Sequence, residues 1–166
     1  MTVALFVGID PGLDGALCGI DAAGKVWELC DTPTLTIQKA RGARREFDTA
    51  MMARTLAGIR DAYQVRRVVL ERVLPMPGSA RGSIGAFGIG RSAGLWEGMT
   101  AALGLPLELV VPQSWQRQIL GGFAGKDGAR LKAAQLFPDA AGRLVRKKDD
   151  GRADALLLAE YGRRLG

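Results

Sequence analysis

Lys147-Lys148-Asp149-Asp150-Gly151-Arg152-Ala153-Asp154-Ala155-Leu156-Leu157-Leu158-Ala159-Glu160-Tyr161 runs from a basic, turn-like segment into an apolar, Ala/Leu-rich stretch with helical spacing. Asp150 and Asp154 are four residues apart, so on a helix both carboxylates project from one face. That helix is otherwise apolar, and an acid entering it is costly unless its charge is compensated. A divalent cation is one compensation. The plainer alternative is that Asp149 or Asp150 caps the helix and Asp154 is solvated.

Working back from this stretch, other acids stand at the ends of apolar runs. Val3 to Ile9 has strand length, and Asp10-Pro11-Gly12-Leu13-Asp14-Gly15 follows as a turn. Ala16–Asp21 and Val26–Cys30 read as two further strands, giving an antiparallel meander. Pro33, the Thr-rich start and the cluster Lys39, Arg41, Arg44, Arg45 suggest that Asp31 to Arg45 is an exposed loop. Phe47 to Tyr63 has helical periodicity with Asp48 as its N-cap. Arg66 to Val73 is then a buried strand with Glu71 inside it. An unpartnered carboxylate there costs several kcal/mol. Alternation puts Arg72 on the opposite face and leaves Arg67 as a possible partner.

Two prolines and five glycines in Leu74 to Gly90 predict a loop, after which Arg91–Leu103 resumes helical spacing. Leu107–Val111 is a short strand and Pro112–Leu120 a helix with proline near its start. Gly121–Gly128 is a second Gly-rich loop. Ala129–Phe137 is a helix stopped by Pro138, and the last helix runs from about Asp150 to Arg164. The order describes a single α/β domain over residues 1–166, built on a mixed sheet.

Composition narrows the chemistry. The 166 residues include 23 Lys+Arg and 17 Asp+Glu, a net charge of +6 that favours a polyanionic partner. There is no histidine, which excludes a Ser-His-Asp triad, His-ligated zinc and imidazole acid–base catalysis. Cys18 and Cys30 lie in apolar runs and read as reduced core residues. No apolar run approaches a membrane span, and Met1–Val7 lacks the basic region of a signal peptide, so a cytoplasmic protein is expected. Asp10, Glu71, Asp150 and Asp154 form a carboxylate-only set of the kind Mg²⁺ and Mn²⁺ prefer. Such a set fits a two-metal phosphodiester site.

Gly8-Ile9-Asp10-Pro11-Gly12-Leu13-Asp14-Gly15 resembles the first motif of RuvC-type Holliday-junction resolvases, which have the ribonuclease H-like fold. Leu70-Glu71-Arg72 is similar to their second acid, and Val111-Pro112-Gln113-Ser114-Trp115 to their Pro-x-x-Trp segment. Lys126-Asp127, Leu136-Phe137-Pro138 and Lys147 to Leu157 look most like the phage and chloroplast branch. In many of these proteins the last two acids are three apart; here that earlier position is Gly151, and Asp150 is taken as the ligand in preference to Asp149.

The resemblance implies a ribonuclease H-like fold with a mixed five-stranded sheet flanked by helices. It implies two Mg²⁺ ions, with Mn²⁺ able to substitute, on Asp10, Glu71, Asp150 and Asp154. It also implies a homodimer that nicks two opposing strands of a four-way DNA junction. The other readings are a non-catalytic branched-DNA binder and a ribonuclease H-like nuclease acting on RNA or flap DNA. The expected DNA contacts are Arg81, Phe87, Arg117, Lys126, Lys147, Lys148 and Arg152, with a core position the equal alternative for Phe87 and a solvated surface lysine the lesser alternative for Lys126. Trp115 is read as core. Gly90, Gly94 and Gly98 stripe one helix face for close approach, either to the sheet or to a second subunit; the resemblance favours the subunit. The glycines do not match a P-loop, so no nucleotide cofactor is expected.

Overall fold

Alternation along two apolar strands sets the architecture. In the computed structural model, which describes residues 2–73, 82–123, 125 and 127–166, β1 (Ala4–Asp10) and β6 (Gln64–Glu71) lie side by side and parallel. Leu5, Val7 and Ile9 of β1 and Val68 and Leu70 of β6 are buried in one core. The intervening residues Phe6 and Val69 pack into a second core on the other face. A sheet buried on both faces needs helices on both, and it has them.

The sheet order is β3-β2-β1-β6-β7, with β2 (Ala16–Ile20) and β3 (Val26–Asp31) antiparallel and β7 (Leu107–Val110) parallel to β6. On the first face, α1 (Thr49–Ala62) contributes Met52, Leu56 and Ile59, and α2 (Gly82–Ala102) contributes the fully buried Trp96. On the second, α5 (Asp150–Arg164) crosses β1 and is joined by α3 (Pro112–Ile119) and α4 (Gly128–Leu136). The expected five-stranded mixed sheet with flanking helices is the one observed. Asp48 caps α1 as predicted, its Oδ1 accepting from the Met51 amide at 2.9 Å.

The seat of α5 on β1 depends on Gly8. A Cβ there would collide with the carbonyl oxygen of Ala155 and the amide nitrogen of Ala159. Glycine lets the two backbones touch, which fixes the helix over the strand that ends in Asp10.

Two elements differ from the sequence reading. Asp31 to Arg45 is not a loop: β4 (Thr34–Lys39) and β5 (Gly42–Phe47) form a separate antiparallel hairpin. Its turn uses Ala40 and Arg41 at negative φ, then Gly42 at φ 100°, a left-handed residue that closes a type I turn. Helix α2 also begins earlier than predicted, at Gly82 rather than near Arg91. Its glycines cost helix propensity, but Leu95, Trp96 and Met99 bind its inner side to the core or its margin.

Candidate active site

Three elements converge on one edge of the sheet. Ile9 of β1 is in register with Leu70 of β6, so Asp10 and Glu71 end adjacent parallel strands together. Both follow the residue parity of Phe6 and Val69, which places them on the face covered by α5. Asp154 lies in the second turn of α5, one turn beyond Asp150. The turn after Asp10 is tight: the amide of Gly12 donates to the Asp10 carbonyl and that of Gly15 to the Gly12 carbonyl, each at 3.1 Å.

Asp10 and Asp154 sense their acidic neighbours. Burial, with the charges of Glu71 and Asp14, pushes Asp10 up to about 7. Burial and then the charges of Asp10, Glu71 and Asp150 push Asp154 up to about 8. Burial also raises Glu71, opposed by a hydrogen bond from Trp115. A set of acids that resists ionisation beside its own members is one that a divalent cation relieves.

Each acid has a different support. Trp115, 1% exposed, donates its indole N–H to Glu71 Oε2 at 2.8 Å. The partner of Glu71 is therefore this tryptophan and not Arg67, which pairs with Glu108 at 3.6 Å and donates to the Gly162 carbonyl. Asp150 has Arg130 beside it, Nε to Oδ1 2.7 Å, but at an angle that hydrogen-bonds neither atom. This is a charge contact, and the same guanidinium also holds Asp127. Among the described residues no three acidic or thiol side chains stand as a ready-made metal shell. The donor chemistry and the mutual repulsion fit a divalent cation; the side chains would have to close around it, Asp150 leaving Arg130. A cleft of about 470 Å³ opens here, lined by Trp115, Gln116, Phe123, Gly125, Asp150 and Asp154.

Asp149 is engaged elsewhere. Its carboxylate, 1% exposed, accepts from the Arg146 amide at 2.8 Å and from the Arg146 guanidinium, which holds it down at about 2. Position 151 has a steric reason to be glycine. A Cβ there would collide with the carbonyl oxygen of Asp14 and stand 2.8 Å from the Gly15 Cα. The N-terminus of α5 rests directly on the turn that follows Asp10, and an acid at 151 does not fit.

Of the expected DNA contacts, Arg117, Lys147 and Lys148 are exposed. Phe87 is 72% exposed, which rules out its core alternative. Together with Gly12, Leu13, Arg44, Arg45 and Arg91 it lines a cavity of about 320 Å³. Arg152 is committed to Asp31 through two hydrogen bonds of 2.6 and 2.7 Å, with its side chain 17% exposed, so it ties α5 to β3. Arg81 and Lys126 lie outside the described residues. Gly90, Gly94 and Gly98 are exposed, and a Cβ on any of them meets nothing within 4 Å. The stripe therefore does not pack on the sheet.

Trp115 and Arg130 are the site residues that the sequence reading missed. The tryptophan was read as core, and the arginine carried no motif; only the Pro-x-x-Trp likeness pointed to the first. Trp115→Phe keeps most of the volume and removes the donor, so Glu71 is expected to become harder to ionise. The acid limb of the cleavage–pH profile should move to higher pH, with a loss of about tenfold on the acid side and little change on the alkaline side. A uniform loss at every pH would make Trp115 a packing residue only.

A β1-β2-β3 meander extended by parallel strands, with acids at the ends of β1 and β6 and on the helix crossing them, is the ribonuclease H-like fold in its RuvC form. A Thermus thermophilus RuvC in complex with Holliday junction substrate superposes with a TM-score of 0.62 at 17% identity, covering 100% of this chain and 97% of that one. A second Thermus thermophilus RuvC structure gives 0.53 at 18% identity, over 99% and 96%. In sequence, the chain is 30% identical over 155 residues to the chloroplastic Holliday junction resolvase MOC1 of Chlamydomonas reinhardtii. That alignment takes in 81% of this chain but 17% of the relative, so the chain spans about one sixth of that protein's length. No protein-family model matches the chain. The structural likeness shows that the chain has the fold of RuvC, and the sequence likeness reaches one part of the longer relative.

Proposed function

We propose that this protein is a metal-dependent, structure-selective endonuclease that resolves four-way DNA junctions by paired symmetric nicks. The convergence of Asp10, Glu71, Asp150 and Asp154 on one face of the sheet edge carries the reading. These four would hold two Mg²⁺ ions, with Mn²⁺ as a substitute, and the ions when bound would activate water and stabilise the leaving oxygen. Trp115 orients Glu71 and keeps it ionisable. Burial of Asp10 and Asp154 keeps bulk water from screening their charge. Arg117, Lys147 and Lys148 face solvent and would bind phosphates, with Phe87 exposed for stacking on a base. Arg81 and Lys126 remain proposed contacts on the strength of the sequence.

The test is incubation with Mg²⁺ and, separately, a mobile four-way junction, a duplex, a flap and an RNA/DNA hybrid. Paired nicks on the junction alone are expected. Cleavage of the hybrid or flap instead assigns the site to another ribonuclease H-like nuclease, and tight junction binding without cleavage assigns it to a branched-DNA binder.

Symmetric nicking by one site per chain requires two chains about a two-fold axis. The exposed stripe Gly90, Gly94, Gly98 supports α2 as their contact. A Cβ at Gly94 meets nothing within 4 Å, so Gly94→Leu should keep its circular dichroism, become monomeric by light scattering and lose paired nicking. A variant that stays dimeric and active removes the stripe from the interface.

A further inference from the structure

The β4–β5 hairpin stands apart from the five-stranded sheet and is exposed along nearly its whole length. It carries Lys39, Arg41, Arg44 and Arg45 against a single acid, Glu46. Among the described residues Lys39 and Arg41 make no ion pair or side-chain hydrogen bond, and Arg44 has only a loose 3.7 Å contact to Glu46 with its own side chain 62% exposed. Pairs of that kind contribute little and leave the cation available.

The root of the hairpin is fastened to the site. Arg45 donates to Asp14 Oδ1 at 2.6 Å and to the Leu13 carbonyl at 2.7 Å, gripping the turn that follows Asp10. Phe47, on the same face of the ribbon as Arg45 by register, is buried in the core. That face is spent on attachment. The other face presents Leu35, Ile37, Lys39 and Arg44 outward, with Leu35 40% and Ile37 37% exposed. Two clefts flank the root: the cavity beside Phe87, and one of about 230 Å³ lined by Asp14, Asp31, Arg45 and Lys148. The hairpin thus continues the basic surface of Lys147 and Lys148 past the turn of Asp10.

We infer that the β4–β5 hairpin is a DNA-binding arm, a two-stranded ribbon that lies against one duplex arm of the nucleic acid whose cleavage is proposed above. Charge selects this occupant: three available cations on an aliphatic ribbon match a polyanion. A two-stranded ribbon also has the width that a major groove admits. Six paired residues reach about 20 Å from the anchored root. The tip, Lys39 to Gly42, would touch phosphates about six base pairs from the scissile bond. The assignment rests on the nuclease reading for the position of that bond, but not for the contact with duplex.

The test is Lys39→Ala/Arg41→Ala/Arg44→Ala, all exposed positions that leave the Arg45 anchor intact. Binding to the junction and to a plain duplex is titrated over salt, and Mg²⁺-dependent cleavage is measured at saturating protein. The slope of log K against log salt should flatten by about two to three, near 0.9 per phosphate lost, on both DNAs. Cleavage at saturation should stay near wild type. An unchanged slope on both DNAs overturns the arm. Loss of dimerisation in Leu35→Thr/Ile37→Thr with an unchanged slope would give the face to a second copy and also overturns it. If wild type cuts no junction, the nuclease reading fails, while the duplex slope still decides the hairpin.

Discussion

Asp154→Asn is expected to cut a four-way junction about a thousandfold more slowly than wild type, or not at all, while binding it at least as tightly. The amide is nearly isosteric, donates no charge to a divalent cation and repels phosphate less. The same substitution has an effect that needs neither DNA nor metal. Asp154 stands at about 8 in the folded chain against an ordinary value of 3.8, so the folded state holds its proton more tightly than the unfolded state. Its stabilising contribution is complete below about pH 4 and is lost as pH rises through about 8; Asp10 adds a similar loss through about 7. In EDTA, wild type should melt lower at pH 8 than at pH 5, and Asp154→Asn should melt higher than wild type at pH 8. Near wild-type nicking by the variant would remove Asp154 from the chemistry, and equal melting at pH 8 would remove the repulsion.

Gly151→Ala is expected to damage the fold and the site together. The added methyl would overlap the Asp14 carbonyl and press on the Gly15 Cα, both backbone atoms of a turn held by its own hydrogen bonds. Nothing flexible is available to yield, so a cost of about 3 kcal/mol or more follows, which is a fall of roughly 6–12 °C in Tm for a chain of this size. Exchanging the two residues, Asp150→Gly with Gly151→Asp, would restore the three-residue spacing of many relatives in the resembling family and should do worse still. Thermal unfolding followed by circular dichroism measures both. A Tm within about 2 °C of wild type would mean that α5 does not sit on the turn of Asp10.

Much of this is legible in the sequence. Apolar runs of strand length gave the five strands of the sheet, and the acids stood out because each ended or entered such a run. Helical spacing sets Asp149 apart from Asp150 and Asp154, and in the structure it is buried against Arg146. The hairpin was missed because its alternation, Leu35 and Ile37 against Thr34 and Thr36, is short and polar on one face. Only the turn chemistry of Ala40-Arg41-Gly42 marked it. The start of α2 was missed because glycine propensity was weighed without the core that Trp96 and its neighbours supply. Trp115 was read as buried, which it is, but one sequence position does not say that its N–H points at a carboxylate on another element. Nor does any local pattern announce Arg130 beside Asp150; that pair is made by α4 packing on α5.

The docking of α5 onto the glycine-floored strand β1 also imposes a timetable. A chain emerging from a ribosome at about 5–20 residues per second presents Asp10 first and Asp154 only after roughly ten seconds or more. Until then β1 and β6 carry two acids with no helix to close over them, and the partial chain is chemically silent. On the proposed reading, the site is complete only when α5 reaches back to β1.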